Sequence, residues 1–168
     1  DLGLGTCWMG ATFSRDYYGS LVGLQDDEFI PILSPVGHAA EKRSFLDSIF
    51  SASSGSRNRR PFAELFFRDS LSTPLSPQDA GEYAEALEMV RFAPSALNKQ
   101  PWRVVKTADG YHFLLCRTAG YRRLSPKVDL QRIDMGIAMI HFASTASALG
   151  LPGKLTRVGT APAGGPGG

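Results

Sequence analysis

The sequence is poor in the residues that build crosslinked, metal-bound or membrane-spanning proteins. It contains two cysteines, Cys7 and Cys116, and three histidines among 168 residues. Two cysteines exclude a disulfide scaffold and a four-cysteine zinc cluster, and they favour a reducing compartment, which we expect to be the cytoplasm. The histidines have no metal-ligand spacing, so no metal is expected. No apolar run reaches the roughly 20 residues that a membrane helix needs, so no membrane contact is expected.

An excess of charge of one sign is also absent. Lysine and arginine number 18 against 16 acidic residues, and 43% of the chain is hydrophobic. This balance excludes a chain disordered throughout, and it does not favour a nucleic-acid partner. The length suits one domain with a sizeable core. No pair of carboxylates stands out for acid–base chemistry.

Turn signals and apolar periodicity predict a mixed α+β fold in which helices outnumber strands. In the first half, Ser14 is expected to cap a short helix that ends near residue 24. Residues 29–33 have strand length, but Pro31 makes them an edge or irregular strand. Further short helices are predicted over 41–50 and 61–67.

The second half has stronger signals. Ser76 and Pro77 predict the start of a helix that runs to about residue 91 and is ended by Pro94. Residues 102–107 and 111–116 form two β-rich runs around a glycine-containing turn, which predicts a hairpin. The longest helical pattern covers 130–149, and Gly150 follows it as a C-cap.

Three loops carry candidate chemistry. Residues 93–102, Ala-Pro-Ser-Ala-Leu-Asn-Lys-Gln-Pro-Trp, offer donors and acceptors from a loop fenced by prolines, which suits a planar ligand with a polar edge; a plain connector is the alternative. The arginines of residues 57–60 fit a phosphate or a solvated basic turn. The glycines of residues 3–11 allow close backbone approach to a ligand or form a simple turn. Asp134 is read as a first-turn helix charge or as a partner for an arginine.

Together these segments resemble the nitroreductase family. Residues 2–11, Leu-Gly-Leu-Gly-Thr-Cys-Trp-Met-Gly-Ala, resemble the family's flavin-loop motif. Residues 93–102 resemble the loop that reaches the flavin from the opposing subunit, and 133–139 look like the start of the long interface helix. The resemblance implies an α+β nitroreductase-like fold with helices around a central, mainly antiparallel sheet.

The resemblance also implies FMN as cofactor and NAD(P)H as co-substrate. FMN would lie between two halves and pass hydride to a nitroaromatic-like or quinone-like acceptor, so no catalytic side chain is expected. The resemblance assigns cofactor binding to Trp8, Met9, Gly10, Ala11, Pro94, Ser95, Ala96 and Asn98, and the FMN phosphate to Arg57 and Arg59, with Arg60 as a substitute for either. Departures from the family are Ala11 in place of a second glycine and the lack of an intact Arg-Arg-Ser motif.

The order of the loops points to a subgroup. Ordinary members have the proline-fenced loop first, whereas here the glycine-rich loop comes first. That order resembles the TM nitroreductases, in which two family-like halves in one chain imitate a homodimer. Leu149-Gly150-Leu151 repeats Leu2-Gly3-Leu4 at an offset of 147 residues, which agrees with a duplication.

The duplication predicts three regions. Residues 1–55 would be the C-terminal part of a first half, 56–155 a second half, and 156–168 a flexible tail rich in glycine and proline. On this interpretation the chain begins after a missing helix and, by itself, holds FMN weakly or not at all. A flavin-binding protein without turnover and an inactive fragment are the alternative functions, and self-association through exposed apolar surface is possible.

Overall fold

A computed structural model describes residues 2–10, 13–40, 58–123 and 128–157. In the first part of the chain, strand β1 covers Gly5–Thr6, helix α1 covers Arg15–Val22 and strand β2 covers Val36–Gly37. In the second part, the elements in chain order are helix α2 (Phe62–Leu65), strand β3 (Phe66–Arg68), helix α3 (Pro77–Ala80), helix α4 (Ala84–Phe92), strand β4 (Trp102–Thr107), strand β5 (Gly110–Leu115) and helix α5 (Leu130–Ala148). Short 3₁₀ turns cover Gly81–Tyr83, Ala96–Asn98 and Tyr121–Arg123.

The strands form two small sheets. β1 and β2 pair antiparallel, with Gly5 opposite Gly37. The larger sheet has the order β3-β4-β5, in which β3 and β4 are parallel and β4 and β5 are antiparallel. The hairpin joining β4 to β5 closes where Thr107 faces Gly110, as the two β-rich runs predicted.

The helices begin and end at the signals that the sequence carries. The Ser14 hydroxyl accepts a hydrogen bond from the Tyr17 N–H, and Gly23, at φ 66°, ends α1. The Ser76 hydroxyl caps α3 by accepting from the Asp79 N–H. Gly150 follows α5 with φ 70°, a conformation that glycine adopts without steric cost. None of the helices over the described residues is long and apolar enough to cross a membrane.

The core lies between the three-stranded sheet and helices α4 and α5. Leu87 and Val90 of α4, Val104 of β4 and Ala138 of α5 are almost completely removed from solvent. On one side of this core, four aromatic rings pack around one another: Tyr83, Tyr111, Phe113 and Phe142. Burial raises the pKa of Tyr111, within this group, to about 12. The core therefore fixes the two ends of the proline-fenced loop, which runs from α4 to β4.

Several boundaries differ from the sequence prediction. The helix expected from Pro77 to about residue 91 is interrupted, because Gly81 has φ 62° and a 3₁₀ turn separates α3 from α4. The helix predicted over 61–67 ends at Leu65, and the chain continues as β3, whose partner β4 lies far along the sequence. Residues 29–33 form no strand; Leu33 alone makes a bridge to Met9. The helix predicted over 41–50 lies outside the described residues.

Candidate functional site

The glycine-rich loop is held in place by backbone hydrogen bonds. The Met9 N–H donates to the Leu33 carbonyl at 2.8 Å, and the Leu33 N–H donates to the Met9 carbonyl at 3.0 Å. The Arg15 guanidinium donates to the Gly10 carbonyl. Trp8, just before these contacts, is 53% exposed. The loop therefore has a fixed backbone and presents a large aromatic side chain to solvent.

This loop meets the N-terminus of α5 at Gly10. A Cβ atom placed on Gly10 would lie 2.9 Å from Leu130 Cδ2, closer than real Cβ atoms come to another carbon. Leu130 is 8% exposed and belongs to a small apolar cluster with Tyr121 and Val128. Gly10 is therefore a position where the backbone makes a close approach that any side chain would obstruct.

The proline-fenced loop reaches the same cluster from the other side. Ala96 packs against the Leu130 cluster, as does Ile133 of α5. Leu97, the next residue, is 49% exposed. Gly10 and Ala96, which come from loops far apart in sequence, thus both lie against one group of apolar side chains, and each has an exposed large apolar residue within two positions of it.

The proline-fenced loop has an unusual backbone. Leu97, Asn98 and Gln100 have φ values of 50°, 52° and 48°. Asparagine tolerates this left-handed region, but a leucine there costs roughly 1–2 kcal/mol. Such a conformation persists only when surrounding contacts determine it, and strained backbone of this kind is concentrated at functional sites.

Hydrogen bonds from side chains inside the loop help to hold this backbone conformation. The Gln100 N–H donates to the Ser95 hydroxyl at 2.9 Å. Gln100, 4% exposed, also turns its amide inward: Oε1 accepts from the Arg60 N–H at 2.9 Å, and Nε2 donates to the Asn98 side-chain and backbone oxygens at 3.1 and 3.2 Å. The Asn98 amide in turn donates to the Asn58 carbonyl at 2.7 Å. Ser95, Asn98 and Gln100 thus join the loop to the segment that precedes α2.

A basic group lies beside this network. Arg59 Nη1 donates to Asn98 Oδ1 at 3.1 Å, and Arg59 Nη2 donates to the Phe92 carbonyl at the end of α4 at 3.2 Å. Burial, and then the positive charge of Arg91, lower the pKa of Arg59. Arg91 pairs with Glu88, and this hydrogen bond raises the pKa of Arg91. Arg60 forms an exposed pair with Glu64 at 3.2 Å.

Asp134 ties the loop to α5. Its Oδ1 accepts the Ala96 N–H at 2.9 Å. Asp134 is 3% exposed, and its Oδ2 has no hydrogen-bond partner among the described residues. The Trp102 indole N–H is likewise buried without a partner among these residues. Burial raises the pKa of Asp134 to about 6. The sequence predicted that Asp134 is a first-turn helix charge or the partner of an arginine. Both predictions were wrong, because its partner is a backbone N–H of the proline-fenced loop.

The structure brings most of the predicted site residues together. Trp8, Met9 and Gly10 lie in one loop, Pro94, Ser95, Ala96 and Asn98 in the other, and Arg59 joins the second loop through Asn98. Arg60 is next to this network through its N–H, while its guanidinium points to Glu64. Ala11 and Arg57 lie outside the described residues.

Sequence reasoning missed two residues that organise the site. Gln100 was one donor among several, and nothing marked it as the buried one. Its position just before Pro101 gave no such signal, because a residue before proline is expected to be extended, whereas Gln100 has φ 48°. Asp134 stands among apolar residues of a helix, where an acidic residue is expected to have a buried partner.

Known proteins are similar to this chain in sequence and in fold. A family model described as "Putative TM nitroreductase" matches residues 1–146. A crystal structure of a protein described as a putative nitroreductase from Thermotoga maritima is similar, with a TM-score of 0.56 and 21% identity. The alignment covers 94% of this chain and 53% of that one, so the chain spans about half the length of that protein. No curated protein matches.

The architecture is that of an α+β, nitroreductase-like fold, as the sequence predicted. Since the family model covers most of the chain, the chain belongs to the TM nitroreductase family.

Proposed function

We propose that this chain provides the FMN-contacting loops of an oxidoreductase that takes hydride from NAD(P)H and passes it to a nitroaromatic-like or quinone-like acceptor. The observation that carries the proposal is the meeting of two loops, at Gly10 and Ala96, on the Leu130 cluster. These are the loops whose motifs resemble the flavin-contacting segments of nitroreductases. Family membership supports the redox class of the reaction.

The residues present fit a flavin ring. A flat aromatic ligand needs apolar surface and backbone groups that can approach it closely. Trp8 of the glycine-rich loop and Leu97 of the proline-fenced loop expose large apolar side chains, 53% and 49% exposed. The lack of a side chain at Gly10 lets the glycine-rich loop lie close against Leu130, where a Cβ would collide with Leu130 Cδ2. Trp8, Met9, Gly10 and Ala11 would hold the ring from one side, and Pro94, Ser95, Ala96 and Asn98 from the other.

The basic segment fits the FMN phosphate. Arginine guanidinium groups are well suited to phosphate because their forked donors bind two oxygens at once. Arg59 donates a hydrogen bond to Asn98 of the proline-fenced loop, and its neighbour in sequence, Arg60, is exposed. We therefore assign the phosphate to Arg57, Arg59 and Arg60, with Arg59 having to exchange one of its present acceptors for the ligand.

The chain's own part in such a reaction is binding and orientation. A bound flavin supplies the electron-transfer chemistry. The glycine-rich loop and the proline-fenced loop would orient the ring, while exposed Trp8 and Leu97 would border the place where a flat acceptor stacks. We also propose that residues 1–55 and 56–155 belong to two family-like halves, as in a duplicated chain.

The test is a titration of the purified protein with FMN, followed by visible absorbance near about 450 nm, where flavins absorb. The expected result is saturable binding with a perturbed flavin spectrum, and bleaching of the bound flavin by NADH or NADPH without oxygen. Gly10→Val should weaken FMN binding at least about tenfold, because its side chain would collide with Leu130 and displace the glycine-rich loop from the Leu130 cluster. Gly37→Val is the matched control, since a Cβ at Gly37 meets nothing within 4 Å.

Each outcome selects among the candidate functions. Saturable binding without bleaching would favour a flavin-binding protein that does not turn over. An absence of any spectral change up to about 1 mM FMN, the weakest affinity of practical interest, would contradict flavin binding by this chain. Equal effects of Gly10→Val and Gly37→Val would contradict the location of the site.

A further inference from the structure

The tie between α5 and the proline-fenced loop is an incomplete hydrogen-bonding arrangement. Asp134 is 3% exposed, yet only one of its two carboxylate oxygens has a partner, the Ala96 N–H at 2.9 Å. The other oxygen is buried without a partner among the described residues. A buried carboxylate with a single donor is poorly compensated when it is ionised, because it has lost most of its hydration.

The loop at the other end of this hydrogen bond is strained. Leu97 and Gln100 both have φ near 50°, and the chain holds this conformation only through contacts with its surroundings. Asn98 and Gln100 connect the loop to the segment before α2, whereas Ala96 connects it to α5, through its N–H to Asp134 and through apolar packing against the Leu130 cluster. The Asp134 hydrogen bond therefore acts on a loop that gains conformational freedom when it is released.

The charge state of Asp134 is sensitive to pH near neutrality. Burial raises its pKa to about 6; the Ala96 N–H acts in the opposite direction, and the negative charge of Asp129 adds to the rise. Among the described residues, the other titratable group that interacts with it is Tyr121, whose pKa burial and Asp134 raise to about 12. Tyr121 thus stays neutral while Asp134 changes charge.

We propose that Asp134 is the positioning residue that holds the Ser95–Gln100 loop against α5, and that its protonation state sets how firmly the loop is held. Opening the loop lets water reach both carboxylate oxygens, which favours the ionised form. The protonated form favours the closed loop. The closed loop is therefore firmest below the pKa of Asp134, and its hold weakens as the pH rises through that value. Only the expected consequence for flavin affinity rests on the proposed function.

The first test needs no flavin. Amide hydrogen exchange followed by NMR is read at the Ala96 N–H, with the Leu87 N–H of the α4 core as internal reference. Between about pH 5 and about pH 7.5, the protection of Ala96 relative to Leu87 should fall about tenfold in the wild type. Asp134→Asn, which mimics the protonated form, should keep high protection at both pH values. Asp134→Ala, which removes the acceptor, should have low protection at both.

The control is Asp27→Asn, which makes the same chemical change on an exposed aspartate. In this variant, Ala96 protection should depend on pH as it does in the wild type. If the protection of the Ala96 N–H in the wild type does not change with pH, that result alone would overturn the proposal. The proposal would also be overturned if Ala96 protection in Asp134→Asn depended on pH as in the wild type, or if Asp134→Ala left Ala96 protection at the wild-type level.

The second test titrates the same proteins with FMN at both pH values. Because Ala96 of the closed loop and Gly10 both lie against the Leu130 cluster, we expect FMN to bind more tightly to the wild type at the lower pH and equally at both pH values to Asp134→Asn. The reverse pH dependence would contradict the link to the ligand. If FMN binds at neither pH, the proposed function fails, whereas the exchange measurement still decides the role of Asp134 in the loop.

Discussion

Replacing Gln100 by leucine tests whether its buried amide determines the loop. The side chain accepts one hydrogen bond from the Arg60 N–H at 2.9 Å and donates to Asn98 at 3.1 and 3.2 Å. Leucine has a similar volume and no polar atom, so it removes these bonds without leaving a large cavity. It also keeps a non-glycine residue at φ 48°, so the backbone requirement does not change.

The expected loss follows from these bonds. Each net hydrogen bond contributes about 0.5–1.5 kcal/mol, so two to three of them amount to about 3 kcal/mol. Burying a more apolar side chain returns about 1 kcal/mol of this, which leaves a net loss of about 2 kcal/mol. For a chain of this size, that corresponds to a fall in the melting temperature of roughly 4–8 °C.

Thermal unfolding followed by circular dichroism measures the change. Gln78→Leu is the matched control, because Gln78 is exposed on α3 and the same chemical change there should shift the melting temperature by no more than roughly 2 °C. A loss in Gln100→Leu no greater than that in the control would refute the reasoning. The loop would then be determined by its prolines and apolar contacts rather than by the Gln100 amide.

Three further changes test other contacts. Gly10→Ala should destabilise the protein by about 1 kcal/mol in denaturant unfolding, because its Cβ would meet Leu130; equal stability to Gly37→Ala would contradict the contact. Leu97→Asn should be neutral or raise the melting temperature, since asparagine tolerates the left-handed region, and a clear loss would contradict the strain argument. Because burial raises the pKa of Asp134 to about 6, wild-type stability should fall by up to about 3 kcal/mol relative to Asp134→Asn as the pH rises from about 4 to 7; a constant difference would contradict it.

The parts of the fold that the sequence predicted are those with local causes. Helix α1 follows from the Ser14 cap and Gly23, and α5 follows from a long apolar periodicity ended by Gly150. The hairpin of β4 and β5 follows from two β-rich runs around one turn. In each case the residues that determine the element lie within it or next to it, so a single sequence contains the whole signal.

The parts that it did not predict have causes distant in sequence. β3 is a strand because Phe66–Arg68 pairs in parallel with Val104–Lys106, nearly forty residues later. The break at Gly81 needs a positive φ that neighbouring residues do not announce. Asp134 was misread for the same reason: its partner is a backbone N–H that only the tertiary fold brings close.

The same distinction applies to the candidate site and changes how its side chains are understood. The motifs located both loops, because glycine and proline act on the local backbone. They did not indicate that Ser95 and Asn98 already have partners within the loop and the Asn58–Arg60 segment. Those side chains therefore give the loop its shape, and the surface left for a flat ligand consists largely of backbone and of apolar groups such as Trp8 and Leu97. A change at Asn98 should consequently act on flavin affinity through loop geometry, alongside any direct contact that is lost.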